Sequence, residues 1–184
     1  ADEFFCGYNM YRNAERYGDN LKTFYVGNTN IMKDIAPKIA AVAPKAMYII
    51  VSNPVDILTY TFTKCSGLPE KQIIGSGALL DTARLRSKLA ENFNISMQNV
   101  HANVFGEHGD TSFVPWSCAS ISAVPMEKYA DAMKKLGRDY DEIDKDAMED
   151  YVHKSGGMII ENKGATFYAV TTAVCYICKC LLSG

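Results

Sequence analysis

His108 lies in Gly106-Glu107-His108-Gly109-Asp110, a histidine flanked by glycines at the end of an apolar run. An imidazole titrates near neutrality, so it can give and take a proton at working pH. The glycines permit a sharp, open turn that a ligand can reach. By itself the segment serves equally well as an ordinary hydrogen-bonded loop. Asp81 and Arg84, in Asp81-Thr82-Ala83-Arg84-Leu85-Arg86, stand three residues apart and share one helix face. They make either a surface ion pair of small effect or a working pair. In the second case the planar guanidinium grips a carboxylate through two parallel hydrogen bonds, and Asp81 holds an imidazole in one tautomer and stabilises it when protonated. Arg86 lies about 200° around the helix from Arg84, so it faces solvent or a separate anion site. Asn53 lies in the stretch Val51-Ser52-Asn53-Pro54-Val55-Asp56. Asn-Pro is a plain turn signal, but an amide at the carboxyl end of a buried strand also stands where open α/β sheets gather ligands.

The elements that must position these residues follow from the spacing of apolar positions. Ile31, Ile35 and Ile39 recur every four residues, predicting an amphipathic helix disturbed at Pro37. Ala46–Val51 is short, β-branched and apolar on both faces, as for a buried parallel strand. A helix over about 55–64 follows, ending before Gly67 and Pro69. Ile73-Ile74 forms a second strand, and Gly75-Ser76-Gly77 turns the chain into a helix over about 78–92. Two longer strands are expected over 100–105 and 113–124. The rest reads as helical, interrupted at Gly156-Gly157 and Lys163-Gly164. Alternating strand and helix argues for an α/β parallel sheet followed by a mixed α+β portion. Residues 1–27 carry scattered aromatics without a clean period and receive no assignment.

The chain of 184 residues is long enough to bury a core, and its 48% hydrophobic and 22% charged residues are ordinary for a globular protein. A formal charge of −2 supplies no basic field for nucleic acid. The start has no export-signal pattern. Of the six cysteines, Cys6, Cys65 and Cys118 are scattered, whereas Cys175, Cys178 and Cys180 cluster in an apolar run. No second Cys or His group lies near that cluster in sequence. Buried helix cysteines in a reducing cytosol are therefore expected, not a metal site. The run over 165–182 barely reaches membrane-spanning length and is broken by Lys179, so it reads as a buried core helix rather than a span. His153, between Tyr151 and Lys154, reads as surface.

Taken together, "VSNPVDILTY", "GSGALLDTARLR", "GEHGD" and, at 162–166, "NKGAT" resemble the signature stretches of L-lactate dehydrogenases and their malate dehydrogenase relatives. The 27 residues from Asp81 to His108 fit as well (108 − 81 = 27). The resemblance runs from about Asn28 to Gly184. It implies a Rossmann-type parallel sheet joined to an α+β catalytic domain, with 28–76 in the dinucleotide-binding part and 77–184 in the catalytic part. It implies NAD as cofactor and reversible hydride transfer between NADH and pyruvate, with His108 as acid/base, Asp81 as its orienting carboxylate and Arg84 as the substrate-carboxylate clamp. Asn53, with Ser52 and Val51, would lie beside the nicotinamide, and Asn53 and Thr166 would line the substrate pocket. Arg86 and His101 occupy positions of an anion site between subunits, used for fructose 1,6-bisphosphate in many bacterial members. A cytoplasmic homotetramer is implied, without membrane or nucleic-acid partners.

Glu107, where malate dehydrogenases usually carry glycine, leans towards lactate; malate or another 2-hydroxyacid remains the alternative. The resemblance also implies an upstream mobile loop bearing an arginine that polarises the substrate carbonyl. Residues 1–27 do not match it, and no role is carried onto Arg12 or Arg16. Gly75-Ser76-Gly77 has Leu80 rather than glycine at the sixth position of a dinucleotide fingerprint, so it reads as a strand–helix turn. On these grounds a fragment is expected, either of a working enzyme or an inactive remnant without the cofactor cradle.

Overall fold

The computed structural model describes residues 4–6, 21–138, 140 and 142–183, with side chains from residue 25 onward. Arg12 and Arg16 lie outside the described residues. The elements divide into two compact units at Gly77–Ala78, and the last helix passes from the second to the first at Ala173–Val174.

The first unit is built on a parallel sheet. Strands β1 (Phe4–Cys6), β2 (Met47–Ile50) and β3 (Ile73–Gly75) lie side by side in chain order. Phe5 is in register with Tyr48, and Tyr48 in turn with Ile73. Helix α1 (Leu21–Val42) joins β1 to β2, and α2 (Val55–Ser66) joins β2 to β3. The predicted strand at 46–51 and helix at 55–64 are present. Pro37 sits inside α1 and does not end it. Buried Met32 and Ala36 of α1 share a cluster with Leu58 and Phe62 of α2 and Tyr48 of β2. Tyr48 stacks at a tilt on Phe62, ring centroids 5.0 Å apart. Its hydroxyl donates to the Ala43 carbonyl at 2.8 Å, with the Ile39 carbonyl at 3.3 Å. Both carbonyls also accept a backbone N–H, from Ala46 and Ala43 respectively, so the hydroxyl adds a second donor at the end of α1.

The second unit gathers around helix α3 (Leu79–Phe93). Its buried positions Asp81, Leu85, Leu89 and Phe93 recur every four residues and form one stripe. Val100, Ile121, Met126, Met148 and Val152 pack onto that stripe. The strands here differ from expectation. Instead of runs over 100–105 and 113–124, there are three two-residue strands, β4 (Val100–His101), β5 (Ser120–Ile121) and β6 (Val124–Pro125), plus a bridge between Phe105 and Phe113. Side chains on α3 take the backbone groups a longer β4 would have paired. Arg86 Nε donates to the Ala102 carbonyl at 2.8 Å, and the Val104 N–H donates to Thr82 Oγ1 at 2.9 Å. Downstream, a 3-10 turn at Trp116–Cys118 follows Pro115, and Ser122 and Ala123 take positive φ in the two-residue turn from β5 to β6.

Helices α4 (Met126–Lys135), α5 (Lys145–Lys163) and α6 (Tyr168–Ser183) complete the chain. The expected break at Gly156-Gly157 is absent, because α5 runs through both glycines. Its start is capped by Asp144, which accepts from the Ala147 N–H at 3.0 Å, and buried Met148, Val152 and Ser155 anchor it. Tertiary packing outweighs the low helix propensity of glycine here. The expectation that the run over 165–182 is a buried core helix is also wrong. No residue of α6 is buried, Tyr168 and Leu182 are largely exposed, and Cys175 and Cys180 are exposed with Cys178 half-buried. Apolar composition drives burial only where another element covers the helix, and none of the described elements buries it.

Candidate active site

Asp81 is the one charged residue in the buried stripe of α3. It falls in the first turn, where the unpaired N–H groups of a helix favour a carboxylate. Both its oxygens are engaged. Oδ2 lies 2.5 Å from His108 Nδ1, and Oδ1 accepts from Arg84 at 2.9 Å. The Asp81 side chain is 7% exposed and that of Arg84 13%, so theirs is a buried pair and not the surface ion pair of the bland alternative. The His108 side chain is 27% exposed. One carboxylate therefore ties together an imidazole and a guanidinium 27 residues distant and one helical turn away, respectively.

The loop carrying His108 is closed at its base by reciprocal backbone bonds between Phe105 and Phe113, at 2.9 and 3.0 Å. Gly106 takes φ 90°, and a Cβ there would lie 3.3 Å from the Thr111 carbonyl oxygen, so this flank must be glycine. Gly109 does not adopt a positive φ. Within the loop, Thr111 donates to the Glu107 carboxylate, and the Ser112 N–H to the Gly109 carbonyl at 3.1 Å. A committed Nδ1–H···Oδ2 bond leaves the other ring nitrogen, Nε2, as the atom through which a proton could be exchanged.

His153 is not surface, contrary to the sequence reading. It is half-buried on α5, with Nε2 2.8 Å from Ser112 Oγ and 3.2 Å from the Ser112 carbonyl oxygen. One turn earlier on α5, Glu149 accepts from Trp116 Nε1 at 2.6 Å. These contacts, with Thr82 under Val104, were missed by sequence reasoning. A histidine beside a lysine on a helix gives no hint of which loop will come to lie against it.

The structure thus joins Asp81, Arg84 and His108 directly. Thr166 is half-buried in the link between α5 and α6 of the same unit. Arg86 holds Asn103 Oδ1 at 2.8 Å besides the Ala102 carbonyl, which keeps its guanidinium against the segment that follows exposed His101. In the first unit, Val51, Ser52 and Asn53 form the half-buried turn after β2, with a cis peptide between Asn53 and Pro54. Their place is the carboxyl end of a parallel sheet, where open α/β folds bind ligands. Gly75-Ser76-Gly77 does not fit the pyrophosphate of a dinucleotide. A Cβ on Gly75 would lie 2.7 Å from Thr59 Oγ1, and the Ser76 N–H already donates to the Ile50 carbonyl at 2.9 Å. Gly75 serves close helix–strand packing, and Gly77 takes the positive φ of the turn. Among the described residues, no cluster of three or more His, Cys, Asp or Glu is placed to hold a metal ion, and no helix is long and apolar enough to cross a membrane.

A family model described as the lactate/malate dehydrogenase NAD binding domain matches residues 16–75, and one for the alpha/beta C-terminal domain of the same family matches residues 78–184. The chain belongs to the lactate/malate dehydrogenase family. The family match begins at residue 16, ahead of Asn28, where the motif resemblance starts. The L-lactate dehydrogenase of Thermoanaerobacterium saccharolyticum is 40% identical over 169 residues, covering 92% of this chain and 53% of the relative. That of Bacillus pumilus is 43% identical over 155 residues, covering 84% and 48%. A solved lactate dehydrogenase from a Medee basin deep-sea metagenome library superposes with TM-score 0.76 at 33% identity, covering 92% of this chain and 51% of the other. This family member spans about half the length of the curated relatives it matches.

Proposed function

We propose that the chain carries the proton-transfer and substrate-binding centre of an NAD-dependent L-lactate dehydrogenase, reducing pyruvate to L-lactate and running in reverse. The carrying observation is the shared carboxylate of Asp81, which orients His108 through Oδ2 and holds Arg84 through Oδ1. NADH, when bound, supplies the hydride. His108 donates a proton from Nε2 to the substrate's carbonyl oxygen, and Nδ1 stays on Asp81 so that the positive ring is stabilised on its far side. Arg84 offers its remaining N–H groups to the substrate carboxylate. Both cationic groups favour the charge that develops in the transition state. Thr166 and Asn53 line the substrate pocket in this reading, and Asn53, Ser52 and Val51 meet the nicotinamide. Residues 28–76 serve cofactor binding, and those from 77 onward serve chemistry.

The finer assignments belong to the same reading: a cytoplasmic homotetramer in which Arg86 and His101 receive fructose 1,6-bisphosphate. The hydrogen bonds from Arg86 to Ala102 and Asn103, which hold the guanidinium against the segment that follows His101, support the anion site.

The test follows NADH oxidation by the purified chain with pyruvate and with oxaloacetate, each with and without fructose 1,6-bisphosphate. Turnover with pyruvate, lowered about a hundred- to ten-thousand-fold in His108→Asn with an unchanged circular dichroism spectrum, is the expected result. Preference for oxaloacetate would move the assignment to malate. Absence of turnover with both substrates would overturn activity of this chain.

A further inference from the structure

We infer that His153 is a positioning residue for His108, acting from α5 through Ser112. The inference rests on the reading of His108 as proton carrier and adds to it the element that holds the loop from its other side. Asp81 on α3 fastens the imidazole itself. Nothing in that bond fixes the backbone from which His108 projects. Ser112 does: it is buried, its N–H donates to the Gly109 carbonyl directly after His108, and it precedes the bridge residue Phe113. Both oxygens of Ser112 lie within hydrogen-bond distance of His153 Nε2, at 2.8 and 3.2 Å. Buried polar groups need partners, and leaving one unsatisfied costs about 1–3 kcal/mol. The loop therefore keeps this geometry only while α5 supplies that partner.

His153 does not stand alone on α5. Glu149, one turn before it, holds Trp116 just downstream of the loop, and buried Met148 and Val152, each directly preceding one of the two, pin α5 to the core around α3. The helix that fastens the loop is thus packed on the helix that fastens the imidazole. A loop held at two points on one packed helix pair keeps a reacting group in register, and a misplacement of about 1 Å can lower a rate by about a hundredfold.

The test compares His153→Ala and His153→Gln with the unaltered chain. Two readouts are used: kcat and KM for pyruvate, and the downfield proton NMR signal of the His108 Nδ1–H bonded to Asp81, assigned by its loss in His108→Asn. His153→Ala is expected to lower kcat about ten- to a hundredfold with KM little changed, and to broaden or remove the downfield signal. His153→Gln, whose amide can both donate to and accept from Ser112, is expected to restore both. An unchanged downfield signal in folded His153→Ala would overturn the inference. If His153→Ala does not fold, Ser112→Ala takes its place, with a smaller loss in the same direction expected and an unchanged signal again decisive against. If the unaltered chain does not turn over pyruvate, the proposed function fails, while the NMR comparison still decides whether His153 holds His108.

Discussion

In the proposed function Asp81 concentrates both the chemistry and the energetic risk in one side chain. It is an acid in an apolar stripe, and it persists there because Arg84 and His108 satisfy its two oxygens. Removing one member of a buried ion pair leaves the other charged and unpaired, which costs about 3–5 kcal/mol. Asp81→Ala is therefore expected to lower the unfolding free energy by about 3 kcal/mol or more and to abolish proton transfer. Replacing both partners by apolar residues removes the stranded charge. The double variant Asp81→Leu/Arg84→Leu should recover most of the stability and none of the activity, as measured by urea unfolding beside the pyruvate assay. A double variant no more stable than Asp81→Ala would mean that the pair contributes through packing alone.

At the scale of elements, α3 does more than carry Asp81 and Arg84. Asp81 reaches the His108 loop, while Thr82 holds the Val104 N–H and Arg86 holds Ala102 and Asn103, so two side chains of α3 replace a strand partner for residues 102–104. This is why the predicted strand over 100–105 shortens to β4. Thr82→Val keeps the side-chain shape but deletes the acceptor. It is expected to lower stability by about 1–3 kcal/mol through the orphaned Val104 N–H, seen as a drop in Tm and faster amide exchange at Val104. Unaltered exchange there would show that the bond is not formed in solution.

For the whole molecule, the two units keep separate cores, and Tyr48 offers a way to watch the first. Burial pushes its pKa above the ordinary value of 10.0, because the phenolate would lose solvation. Below that value the group is neutral in both folded and unfolded chains and contributes no pH dependence. As pH rises above it, the unfolded chain releases the proton first, so stability falls. Tyr48→Phe is expected to lower stability by about 0.5–1.5 kcal/mol near neutrality and to make the loss above about pH 10 shallower than in the unaltered chain. Parallel profiles in urea unfolding would exclude Tyr48 as the source. At this scale too, α6 shows that an apolar sequence does not bury itself, since its cysteines and aromatics are exposed or half-exposed.

The sequence alone determined the local periodic elements and the residue types of the site. The apolar strand at 46–51, the helix around Asp81 and the glycine-flanked His108 follow from side-chain spacing and backbone preference, and the combined motifs carried the family. Tertiary structure decided everything that depends on chain segments meeting across distance. It made the Asp81–Arg84 pair buried, gave Asp81 a second partner in His108, shortened the strands on either side of the loop, and brought His153 to Ser112 41 residues away. It also carried α5 through two glycines and left α6 no more than half-buried on one face. Propensity and periodicity act over a few residues, whereas hydrogen-bond satisfaction and burial are set by whichever element packs alongside. That is why His108 could be named from the sequence, and why the helix that holds its loop could not.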